Sequence, residues 1–148
     1  MRNISTLRQE HKEIAQMVEE IRPMLNEKDL AIKPLAKTAH DMLCDIVKKI
    51  SDHVEGEDKD LYPSLLVSDD PKIKSVAWGF KSGEQSLRRA LGDYQKKWLK
   101  NCDFDFTQAF IDDTLDLFER LGTRVEQEEK ILFPRLEHAG IGAEAISE

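Results

Sequence analysis

Ser51 to Pro63, SDHVEGEDKDLYP, is the stretch on which the reading of this chain turns. His53 and Glu57 stand four residues apart within it. On an α-helix that spacing puts both side chains on one face, roughly 5–6 Å apart at Cβ. An imidazole and a carboxylate so placed can grip one metal ion. The spacing returns at Arg124 and Glu128, with an arginine where an imidazole would be expected. Both stretches run into an apolar pair and a proline, Leu61-Tyr62-Pro63 and Leu132-Phe133-Pro134. The symmetry is half kept.

The 148 residues suffice for one domain with a proper core. An apolar share of 40% beside 34% charged residues describes a globular chain and excludes a disordered one. The net charge of −7 argues against nucleic acid or an anionic membrane as partner. No apolar run approaches a membrane span, and MRNISTLRQEH has no signal-peptide apolar middle, so a cytoplasmic location is expected. Cys44 and Cys102 are isolated and read as reduced thiols.

Outward from the opening stretch, four amphipathic segments emerge. A first helix is expected from about Thr6, with Thr6 and Gln9 at capping-box spacing, to Leu25. Its stripe is Ile4, Leu7, His11, Ile14, Val18, Ile21 and Leu25, with Pro23 ending or kinking the last turn. After a polar connection from Asn26 to Lys33, Pro34 starts a second helix. Its stripe is Leu35, Ala39, Leu43, Ile46, Ile50, His53, Glu57 and Leu61. A third, after the turn Ser68 to Pro71, carries Ile73, Val76, Phe80, Glu84, Leu87, Leu91, Tyr94 and Trp98. Beyond a connection at Asn101 to Asp105, the fourth carries Phe106, Phe110, Leu117, Leu121, Arg124, Glu128, Ile131 and Leu132. This pattern predicts an all-α antiparallel four-helix bundle over residues 1–138, with 139–148 a loosely held tail.

His11, His53, Glu57, Glu84, Arg124 and Glu128 interrupt the apolar stripes. An unpaired ionised carboxylate in a core costs several kcal/mol, so such residues must meet each other or a cation. Taken singly they read blandly: a lone core histidine, or a helical Arg–Glu pair worth a few tenths of a kcal/mol. Six interruptions at matching levels of an antiparallel bundle point instead to one polar internal site. His40, one residue off its stripe, and His138 read as surface residues. Met17, Met24 and Met42 read as core filler, and the acidic residues around Glu57 as a solvated helix end.

At these residues the chain resembles the hemerythrin-like family, the HHE cation-binding domain. Leu7-Arg8-Gln9-Glu10-His11 is similar to the family's opening histidine motif. His53 to Glu57 with Leu-Tyr-Pro resembles its first His-x-x-x-Glu, and Glu128 to Pro134 (EEKILFP) the end of its second. The resemblance implies a non-heme di-iron site of histidines from four helices and two bridging carboxylates. It carries His11, His53, Glu57 and Glu128 onto ligand positions. The histidine of the third helix is missing; Glu84 takes its place by helical phase, whereas aligning the relatives' Glu-His dipeptide would nominate Gln85. Arg124 replaces the remaining histidine, and a guanidinium cannot coordinate a metal.

The resemblance therefore implies one complete metal position, with Arg124 standing near the second and Glu84 answering its charge. Three carboxylates and one guanidinium sum to −2, which one divalent cation would neutralise; iron is expected, with manganese or zinc also compatible. The functional expectation is a hemerythrin-like iron-binding protein that senses or binds oxygen, nitric oxide or a redox signal through a small diatomic ligand. The alternative is a metal-free degenerate bundle acting as an interaction or structural module. A third reading is an iron-dependent oxidase or peroxidase, against which stands the lack of any acid–base pair, nucleophile or substrate-pocket signature beyond the ligands.

Overall fold

The computed structural model describes residues 3–140. The tail expected from 139 onward thus lies, from residue 141, outside the described residues. Among the described residues there is no strand, and four long helices carry the fold. They are α1 (Ile4–Ile21), α3 (Lys33–Asp60), α5 (Pro71–Tyr94) and α6 (Gln108–Gln127). Shorter α2 (Glu27–Leu30), α4 (Tyr62–Leu66) and α7 (Phe133–His138) fill the connections and the end.

Helix α1 starts earlier than the expected capping box. Asn3 is its N-cap, its side-chain oxygen accepting from the Thr6 backbone N–H at 2.8 Å. Arg22–Met24 tighten to a 3₁₀ turn around Pro23. The polar connection holds α2, capped by Asn26. Helix α3 buries Ala36 rather than Leu35 in its first turn and passes through buried Gly56 without a break. In α5, capped by Asp70, Ala77 is buried while Val76 and Phe80 are half-buried.

The two Pro-ended stretches solve one problem in two ways. A helical proline cannot donate its missing N–H, and its ring crowds the carbonyl four residues back. At Pro63 the helix breaks, and Leu61 (φ −113°, ψ −62°) separates α3 from α4. At Pro134 the helix widens instead: Glu128–Leu132 form a π turn that joins α6 to α7.

Contacts between helix ends fix the antiparallel order. His11 near the start of α1 meets His53 near the end of α3, and Tyr94 at the end of α5 hydrogen-bonds Thr114 early in α6. The core lies in two clusters. The larger runs from Ile14, Ile50, Leu87 and Leu121 to the far end, with Met17, Met24 and Met42 against it. The smaller gathers Ile4, Leu7, Leu61, Tyr62, Leu65, Ile73, Ala77, Leu132, Phe133 and Leu136. His11 falls between Leu7 and Ile14, and Glu128 between Leu121 and Leu132, so the polar residues form a layer between the clusters.

One histidine departs from expectation. His40 is buried, not superficial: its Nε2 donates to the Leu99 carbonyl at 2.9 Å, Phe104 meets its ring edge-on, and Phe106 stacks on it. His138 is exposed as expected.

Candidate metal centre

Three helices deliver three ligand atoms to one point. His11 from α1 and His53 from α3 place their Nε2 atoms 3.1 Å apart, and Glu128 Oε1 lies 3.0 Å from the first and 3.8 Å from the second. All three residues are buried. Glu57 adds a fourth oxygen, 3.6 Å from His53 Nε2. Ligands about 2.1 Å from an ion, at 90–110° to one another, are separated by roughly 3.0–3.4 Å, so the His11, His53 and Glu128 atoms are near coordination spacing, with Glu57 beside them.

The imidazoles are aimed. His11 Nδ1 contacts Glu129 Oε1 at 3.0 Å, and His53 Nδ1 contacts Glu10 Oε1 at 2.8 Å. A proton donated from Nδ1 to each carboxylate leaves Nε2 as the lone-pair nitrogen facing the cluster. The π turn makes the first of these contacts possible, since consecutive Glu128 and Glu129 reach opposite nitrogens of one ring. Arg8 backs Glu129 at 3.0 Å and forks onto Glu137 of α7. Glu10, Glu129 and Arg8 lie outside the set of stripe interruptions that the sequence marks. Their signal is placement beside, or one turn from, an inward histidine or glutamate.

The electrostatics leave one carboxyl unsettled. Glu57 is completely buried and neither oxygen has a hydrogen-bond partner among the described residues. Burial, then the neighbouring charges of Glu128 and Glu84, push its pKa well above the ordinary carboxylate value. Burial also opposes ionisation of Glu128, yet a hydrogen bond from the Glu57 carboxyl once protonated, the two imidazoles and Arg124 hold it below the ordinary range. The His11 pKa is raised: burial opposes its charge, and Glu128 and Glu129 outweigh burial. A protonated carboxyl or a bound cation would each satisfy Glu57. The donor set, two imidazoles and two carboxylates with both Glu57 oxygens and Glu128 Oε2 lacking a hydrogen-bond partner among the described residues, fits one divalent ion.

The α5–α6 side differs from expectation in one respect. Arg124 is buried beside the cluster, its Nη2 3.6 Å from Glu128 Oε2. Its partners are the Tyr62 hydroxyl at 2.7 Å and the Phe80 carbonyl at 2.9 Å, not Glu84. Glu84 is buried and Gln85 exposed, but Glu84 turns to Arg88 at 2.6 Å and Lys81 at 3.5 Å. Both cations also bind Asp58, which is half-buried rather than solvated. The charge sum that included Glu84 is therefore corrected. Glu57, Glu128 and Arg124 sum to −1, and one proton on Glu57 brings the metal-free group to zero. With a guanidinium held by protein oxygens and no imidazole, the second position does not fit a metal.

Fold and cluster together define an all-α bundle with an inward-facing His/His/Glu group able to hold a metal ion. The model of the hemerythrin HHE cation-binding domain matches residues 2–136, and the chain belongs to that family. No curated protein matches the chain, and no solved structure does.

Proposed function

We propose that the chain binds one iron ion through His11, His53 and Glu128, with Glu57 completing the set, and that Arg124 replaces the second ion. The supporting observation is the convergence of two oriented Nε2 atoms and Glu128 Oε1 beside the unpartnered oxygens of Glu57. When bound, iron supplies a one-electron couple and an open position for a small diatomic ligand. The protein's own groups do the rest: Glu10 and Glu129 orient the imidazoles, Glu57 exchanges a proton for the cation, and the apolar clusters on either side keep water out. In this reading the protein senses or binds oxygen, nitric oxide or a redox signal.

Anaerobic Fe(II) loading followed by desalting and elemental analysis tests the proposal. The expected content is one iron per chain, lost in His53→Ala. Two irons would overturn the single-ion reading, and none would favour the metal-free interaction module.

A further inference from the structure

Arg124 is seated against Gly83 of α5. A Cβ built on Gly83 would lie 3.0 Å from Arg124 Nη1, tighter than ordinary van der Waals contact. The guanidinium cannot shift freely to make room. Nη1 donates to the carbonyl of Phe80, one turn before Gly83, and Nη2 donates to Tyr62, while the Phe80 ring lies 5.7 Å from the guanidinium carbon. The alternative position is the open groove between α5 and α6, where Gly83, Ser86, Thr123 and Gln127 line a space of about 490 Å³ with Arg124. A guanidinium moved there gives up both hydrogen bonds and its approach to Glu128.

Glycine in a helix interior is disfavoured relative to alanine, so a glycine on α5 calls for a packing reason. Gly79, one turn earlier, would present its Cβ to nothing within 4 Å beyond its own helix backbone among the described residues, and so serves as the control. We infer that Gly83 is a positioning residue: its bare backbone, with the Phe80 carbonyl and the Tyr62 hydroxyl, forms a socket that holds the Arg124 charge against Glu128 and thereby sets the affinity of the neighbouring cluster for a divalent cation. This inference rests on the metal reading for its functional half. The socket itself does not.

A stability cycle on metal-free protein tests the socket. Gly79→Ala should raise the melting temperature. Gly83→Ala should lower it, by about 2–4 °C. In an Arg124→Lys background, where the charge stays and the planar guanidinium is gone, Gly83→Ala should become stabilising like Gly79→Ala. If Gly83→Ala stabilises the unmodified chain, there is no socket. If Gly83→Ala does not fold, folding of Gly83→Ala/Arg124→Lys supports the inference, and its failure overturns it.

A zinc(II) titration tests the functional half. Withdrawing a positive charge from beside Glu128 should tighten zinc binding by Gly83→Ala about tenfold while its metal-free stability falls. General structural damage would weaken both. Unchanged or weaker binding would overturn the claim that the socket sets affinity. Failure of the unmodified chain to bind zinc or iron would sink the metal reading and leave the cycle to judge the socket.

Discussion

The two halves of the polar layer begin from similar residue types and end in opposite states. On the α1–α3 side, His11 and His53 turn their outer nitrogens to Glu129 and Glu10 and their inner ones to a common point. Glu57 beside them has no hydrogen-bond donor among the described residues. On the α5–α6 side the chain itself holds the buried charged groups: Arg124 donates to the Tyr62 hydroxyl and the Phe80 carbonyl, and Glu84 pairs with Arg88 and Lys81. A neutral imidazole offers a lone pair to something from outside, whereas a guanidinium only donates and stays charged. One half is open to an ion. The other is closed by side chains.

Arg124→Met breaks the closed half outright. Removing one partner from a buried charged group costs roughly 3–5 kcal/mol, and proton uptake by Glu57 moves the loss toward the lower figure. Chemical denaturation of metal-free protein measures it, and added divalent metal should recover part. A loss under about 1 kcal/mol would mean that the guanidinium carries no charge burden there.

Glu129→Gln and Glu10→Gln loosen the open half without touching an inner ligand atom. Each should weaken metal binding about 10–100-fold, the usual cost of losing the group that orients a ligating histidine. Competition with a chelator of known affinity reads this directly. Affinity unchanged in both variants would show that the imidazoles are aimed by packing alone.

The smallest effect is on pH. Both the His11 and Glu57 shifts are upward. Each contributes stability that is complete below its unfolded value, 6.5 for His11 and 4.5 for Glu57, and is lost as pH rises through the folded value. The downward shift of Glu128 acts oppositely, its contribution being lost as pH falls below 4.5. Metal-free protein should therefore be most stable in mild acid and decline toward alkaline pH. Metal affinity should rise over the same range, because protons and cation compete for the same atoms. Thermal melts across pH with and without metal should diverge; parallel curves would contradict the open half.

The periodicity of apolar residues is enough to show the bundle, because each long helix buries one stripe and the polar interruptions fall in phase. It is also enough to place His11, His53, Glu57, Glu84, Arg124 and Glu128 inside, and all six are buried. Phase says which way a side chain leaves its own helix and nothing about what it meets. Arg88 and Lys81 sit off the buried stripe yet reach back to Glu84, since long side chains travel along the surface before committing their charge. His40 escapes the periodicity for a related reason: the residues that bury it belong to an irregular connection with no period to read. The π turn at Glu128–Leu132 is hidden too, although Pro134 stands just beyond it.

The distance along the chain between the two ends of the cluster sets the timing of its birth. His11 and His53 are 42 residues apart, but His11 and Glu128 are separated by 117. During synthesis the two imidazoles emerge early and can pair as soon as α3 docks on α1. Glu128 arrives only once α6 is complete, at the start of the π turn. Closing so long a segment is among the slower steps available to a helical protein. In the proposed single-ion reading, acquisition of the cation is then the closing act of folding: a nascent chain halted before the π turn lacks both Glu128 and the Glu129 carboxylate that aims His11, and only His53, against Glu10, has its orienting partner.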